Sequence, residues 1–214
     1  MRIGILGSGL MGAKLGTLFA RAGHEVTFSY ARSEGKLKRL ARQAGNKTRA
    51  GTVAEAARDA DAVLLAVHWS RIPDVLKQAG DLAGKPVLSC SLPMNADNTQ
   101  LKVAHTSSGA EELAKKLPKA RVVGAFGTVP SEVLFGVYEA RHKKHRPSLV
   151  YYGDDKAAKK LAAGLIRGLG FEPVDAGPLR IARYAEPFTL LMAQLAYEGN
   201  GGPELAYRFE RFGD

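Results

Sequence analysis

Apolar residues in this chain gather in short unbroken runs, separated by longer stretches in which they recur at helical spacing. Arg2–Leu6 is an apolar run bounded by glycine and reads as a buried strand. Residues 10–22 follow with Leu15, Leu18 and Phe19 on one face. Gly12 and Gly16 stand where a helix could lie close to a sheet, and Gly23 is placed to end the helix. Glu25–Ser29 is a second strand and Glu34–Ala44 a helix ending at Gly45. Residues 53–57 form a short helix and 60–67 a third buried strand. Pro86–Ser89 and residues 121–126 read as further strands, with a Ser108–Glu111 capping box opening a helix to about Leu117 between them. After Pro147 the pattern restarts as strand 149–152, helix 157–169 and strand 171–175. A last helix from Glu186-Pro187 to about Tyr197 would have its proline in the first turn, and 204–212 would be an amphipathic tail. This alternation predicts an α/β fold, Rossmann-like and doubly wound, on a mainly parallel sheet. Residues 1–138 would form the nucleotide-binding domain, and residues 148–214 a small C-terminal α/β segment.

The turn after the first strand carries the first chemistry. Gly7-Ser8-Gly9-Leu10-Met11-Gly12 is a G-x-G-x-x-G between a strand and a helix, inside a strand–helix–strand unit. Gly7 permits the tight turn, Gly9 lets a diphosphate approach the backbone, and Gly12 lets helix and strand pack closely. The helix N-terminus then offers N–H groups and a partial positive charge to phosphates. At the end of the second strand an NAD site would place Asp or Glu for the ribose 2′-hydroxyl. Here the stretch is Ser29-Tyr30-Ala31-Arg32-Ser33, with no carboxylate before Glu34. Arg32 can pair with a 2′-phosphate while Ser29 and Ser33 donate hydrogen bonds, so NADP is the expected cofactor.

Composition narrows the field. The 214 residues carry 31 Lys+Arg against 21 Asp+Glu, a formal net charge of +10. That excess suits polyanionic ligands and equally nucleic acid or anionic lipid. Cys90 is the only cysteine, which excludes an intrachain disulfide and a cysteine-rich zinc site. No apolar run is long enough for a membrane-spanning helix, and no signal-peptide pattern follows Met1, so a cytoplasmic protein is expected.

Other candidates lie at strand ends, where ligands of open α/β sheets bind. His68, Trp69 and Ser70 follow the third apolar strand and are placed to touch the cofactor. Cys90 follows the next strand with no paired base in sight and reads as a small buried residue. Residues 141–146, Arg-His-Lys-Lys-His-Arg, are the one charge run. The run lacks interleaved aromatics, so a solvated loop is its plainest reading. Contact with an anionic ligand tail comes next, and nucleic acid is disfavoured.

Taken in order, several of these pieces resemble the NADPH-dependent reductases of coenzyme F420, a deazaflavin. They are the glycine motif, Ser29 to Arg32, His68-Trp69, Gly127-Thr128-Val129-Pro130, Gly153-Asp154-Asp155, Asp175 to Leu179, Arg183 and Glu186. The resemblance implies a Rossmann domain with a small C-terminal segment packed on it, a homodimer, and hydride exchange between NADP(H) and the deazaflavin. It implies that Ser8, Gly9, Leu10 and Met11 lie along the pyrophosphate and that Ser29, Arg32 and Ser33 hold the 2′-phosphate. Val67, His68 and Trp69 would flank the ribose. Ser91-Leu92-Pro93 and Gly127-Thr128-Val129 would border the nicotinamide. Gly127 departs from the histidine often found there, and the 141–146 run replaces a less basic stretch. Thr128 and Ser131 could direct hydroxyls at the charge that develops on the acceptor ring. Two other readings stay open: an NADPH-dependent reductase of a flavin, quinone or ferric complex, and a non-catalytic NADPH-binding module.

Overall fold

A computed structural model describes residues 1–45 and 47–213. Eight strands form one sheet: β1 (Arg2–Leu6), β2 (Glu25–Ser29), β3 (Thr48–Ala50), β4 (Ala62–Leu65), β5 (Pro86–Ser89), β6 (Arg121–Gly124), β7 (Ser148–Gly153) and β8 (Glu172–Asp175). Their order is β3-β2-β1-β4-β5-β6-β7-β8. Neighbours are parallel except β6 and β7, which pair antiparallel with Val123 opposite Gly153 and Gly124 opposite Tyr152. The chain winds outward from β1 to β3, then returns to lay β4 on β1's other side. The switch point, and hence the crevice for a ligand, falls between the carboxyl ends of β1 and β4.

The helices are α1 (Leu10–Arg21), α2 (Glu34–Ala44), α3 (Val53–Arg58), α4 (Ile72–Ala79), α5 (Gly109–Lys116), α6 (Val133–Glu139), α7 (Lys156–Gly168) and α8 (Ala182–Ala193). They cover both faces, which is why the strands read as unbroken apolar runs. Ile3, Ile5, Ala62 and Leu64 face one core with Leu15, Leu18 and Phe19 of α1 and Leu165 and Ile166 of α7. Leu6, Val63 and Leu65 face the other, with Val53 of α3, Val75 of α4 and Leu113 of α5. β7 follows the same alternation, Leu149 and Tyr151 on one side, Val150 and Tyr152 on the other. The carboxyl-terminal β7–α7–β8 unit thus continues the sheet beyond β6.

Several expectations shift. β3 has no apolar run; it is an edge strand recruited by pairing with β2. The third apolar strand shortens to Ala62–Leu65 because Ala66 and Val67 peel away to line the crevice. Residues 125 and 126 likewise leave β6, Phe126 with φ +65°. The last helix begins four residues earlier than expected, because the 3₁₀ turn Leu179–Ile181 runs straight into it. Pro187 therefore lies inside α8 rather than in its first turn. The 204–212 tail has no regular secondary structure: Tyr207 O accepts from Ser148 N (2.7 Å) and Ser148 Oγ accepts from Phe209 N (2.9 Å), clamping it to the start of β7.

Candidate functional site

The site begins at the end of β1. Gly7 has φ +116°, a conformation that β-carbon-bearing residues avoid, and a Cβ there would lie 2.4 Å from Ala66 O. The turn is stitched to the end of β2: Gly7 N and Ser8 N donate to Ser29 O (3.2 Å) and Tyr30 O (3.0 Å), and Ser8 Oγ donates to Ser29 O (2.8 Å). A Cβ on Gly12 would meet Gly7 O at 1.8 Å, so only glycine lets α1 leave this turn so closely. α1 then opens at Gly9 with no side chain capping it. Its free amino end faces a cleft of about 840 Å³.

That cleft is lined by Lys14, Arg32, Lys36 and Arg71 among its charged residues, with no carboxylate among the described residues. Arg32 is exposed and forms no ion pair among the described residues. The glycine turn, the uncapped helix end and the cation-only wall fit a dinucleotide carrying an extra phosphate. Gly7, Ser8, Gly9, Leu10, Val67 and His68 all line the cleft. His68 also anchors its far rim, with Nδ1 2.9 Å from Ser70 Oγ and Nε2 3.1 Å from Asn98 Oδ1. Ser33 sits beside Arg32 on the surface and caps α2, its Oγ accepting from Lys36 N (3.3 Å).

Three of the expected residues do not line the cleft. Ser29 is fully buried and its hydroxyl donates to Ile5 O (2.8 Å). Strand alternation turns it inward, so its side chain braces the glycine turn from beneath rather than reaching a phosphate. Trp69 is half-buried against the core under α4 and does not line the cleft, because the chain turns into a 3₁₀ turn there. Pro93 is buried, and its ring lies where a Cβ on Gly109 would touch it at 2.8 Å, so it packs on α5.

A second cavity of about 260 Å³ adjoins the first, with Leu10 common to both. Met11, Leu92, Val129, Thr128 and Ser131 line it, joined by Met192 and Tyr197 from the end of the chain. Tyr207 Oη accepts from Val150 N (3.0 Å) and lies 2.7 Å from Thr128 Oγ1. Tyr207 can therefore give its own proton to Thr128, leaving the threonine proton for the cavity. Lys14 Nζ donates to Ser131 O and Oγ (3.1 Å each), which places one cation between cleft and cavity. Cys90 also lines the cavity. Burial pushes its thiol up to about 12, so it stays protonated and is no nucleophile.

Sequence reading missed Lys14, Arg71, Tyr197 and Tyr207. Lys14 was legible as the residue one turn beyond Leu10. The other three arrive through tertiary packing of segments with no site motif.

Strand order, glycine turn and cation-lined cleft at the switch point together define a Rossmann-like fold of the dinucleotide-binding class. The family described as NADP oxidoreductase, coenzyme F420-dependent, matches residues 2–93, less than half of the chain. The metalloreductase STEAP3 of Rattus norvegicus is 29% identical over 189 residues, 88% of this chain and 36% of that protein. The chain thus spans about a third of that curated relative. A solved candidate F420-dependent NADP reductase from Arthrobacter sp. FB24 is 26% identical, with TM-score 0.85, covering 98% of this chain and 99% of that one. A reductive aminase from Aspergillus terreus, solved with NADPH, shares the fold at 20% identity and TM-score 0.64, over 90% of this chain and 59% of its own.

Proposed function

We propose that the protein is an NADPH-dependent reductase whose acceptor is a deazaflavin of the coenzyme F420 type. The observation that carries the cofactor half is the uncapped α1 terminus facing a cleft that holds cations and, among the described residues, no carboxylate. The family match and the Arthrobacter structure support the deazaflavin. When bound, NADPH supplies a hydride from its nicotinamide C4 to the acceptor, and the balancing proton comes from water. The chain's own residues position and screen. The Gly7–Gly12 turn and α1 hold the diphosphate, and Arg32 holds the 2′-phosphate. The apolar cavity wall of Leu10, Met11, Leu92 and Val129 excludes water from the stacked rings. Thr128, Ser131 and Lys14 supply hydrogen bonds and positive potential where the acceptor gains charge. No acid–base pair is needed.

The likeness to a metalloreductase favours a second reading, in which the same cofactor reduces a flavin or ferric complex. Incubation of the purified chain with NADPH and each acceptor separates them. Bleaching of the deazaflavin supports the proposal, and turnover with only a flavin or iron chelate transfers it to the second reading. Tight NADPH binding without turnover would leave a binding module.

A further inference from the structure

The charge run at 141–146 plays no part in the site above, yet the topology brings it alongside. β7 runs antiparallel to β6, so the loop entering β7 emerges at the same edge as the segment leaving β6. The link runs through hydrogen bonds: Thr128 bonds the Tyr207 hydroxyl, and Tyr207 O accepts from Ser148 N. Tyr207 and Ser148 thus stand between the small cavity and a groove of about 490 Å³ on their other side.

Lys143, Lys144, Arg146 and Arg208 line that groove, against Glu172 and Glu210. Arg208 is committed, its Nη1 2.6 Å from His145 Nδ1 and its Nη2 2.5 Å from Glu210 Oε1. This pairing fixes the tail against the loop and neutralises one of the two carboxylates. Lys143 and Lys144 are exposed and form no ion pair among the described residues. The tail is held here by the packing of Tyr207 and Phe209 with Phe188 and by the Arg208 pairing, and this sets two exposed lysines over a groove near the apolar cavity, an arrangement suited to an anion.

We propose that this groove is a second anion subsite, which takes the polyanionic tail of the hydride acceptor while its ring occupies the cavity. The inference rests on the cavity being the acceptor site. It adds that the ligand carries phosphodiester or carboxylate charges on a tail reaching past Thr128 and Tyr207. Lys143 and Lys144 then act on acceptor affinity and leave NADPH untouched.

The test compares the full chain with its Lys143→Glu/Lys144→Glu variant. Calorimetry with a short oligoglutamate peptide reads the groove without turnover. Steady-state assays with NADPH compare a deazaflavin bearing a phosphodiester-linked oligoglutamate tail with the same ring ending at its ribityl chain. The expected result is peptide binding that weakens at least tenfold in the variant. KM for the tailed acceptor should rise at least tenfold, with the tail-less ring unchanged. Absence of peptide binding, with KM for both acceptors alike in the two proteins, overturns the subsite. So does a single-stranded oligonucleotide that outcompetes the peptide, which would assign the groove to nucleic acid. NADPH binding to the unsubstituted chain is measured separately. Its failure would sink the cofactor reading, while the peptide titration still decides the groove.

Discussion

Two helices begin at the carboxyl edge of the sheet and meet different fates at their amino ends. α1 starts at Gly9, uncapped, and faces the cation-lined cleft. α5 is sealed from within. Ser108 Oγ accepts from Glu111 N (3.2 Å), and the buried carboxylate of Glu186 on α8 accepts from Gly109 N (2.8 Å) and Ala110 N (2.9 Å). Arg183 of the same helix grips Glu111 through two bonds of 2.7 and 2.9 Å. A helix N-terminus demands an acceptor for its free N–H groups. At α5 the chain supplies a carboxylate and gains a bolt between its last helix and the sheet. At α1 it supplies none and leaves the place to a ligand's phosphates.

Giving α1 a built-in anion should therefore close the site. Gly9 has φ −75° and ψ −155°, open to any residue, and a Cβ there meets nothing within 4 Å. Gly9→Asp should fold normally, with stability unchanged or higher by up to about 1 kcal/mol from capping. NADPH affinity should fall by about 3–5 kcal/mol through lost charge-assisted bonds and repulsion. Calorimetry and a thermal melt of the same variant check both halves; unchanged NADPH affinity would erase the contrast. Opening α5 is the converse experiment. Glu186→Ala leaves two buried N–H groups without a partner and should cost about 3 kcal/mol in urea unfolding, with little effect on NADPH affinity. Glu186→Gln keeps one acceptor and should cost about 1 kcal/mol.

The buried carboxylate also titrates. Burial, set against the two N–H donors, raises Glu186 from the ordinary 4.5 to about 7. Between those values the folded chain keeps a proton that the unfolded chain releases. Glu186's contribution to stability is therefore complete below about pH 4.5 and is lost as pH rises toward 7, on the order of 1–3 kcal/mol. Unfolding midpoints across that window should decline, and Glu186→Gln should flatten the decline. The smallest effect is expected at the cavity rim, where Thr128→Val removes the bond to Tyr207 and should cost about 1 kcal/mol of stability.

The α1 end was legible because its message is local: strand, glycines and helix lie within thirty residues, and each glycine answers one steric demand. The α5 end was half legible. The capping box at Ser108–Glu111 showed in the sequence, whereas the approach of Glu186 from 77 residues away did not. The same division runs through the fold. Strands buried on both faces announced themselves as apolar runs. β3, α4 and α6 carry no such run, or only a short one, and depend on neighbours. Ser29 shows the limit at a single residue: its place at the end of β2 was readable, but which way its hydroxyl turned depended on strand alternation against β1.

The most direct test of the cofactor claim is calorimetric titration of the purified chain and its Arg32→Ala variant with NADPH and with NADH. The substitution should weaken NADPH binding by about 1.5–3 kcal/mol, the scale of a charge-assisted bond, and leave NADH binding where it was. Equal losses for both nucleotides, or no heat with NADPH on the unsubstituted chain, would contradict it.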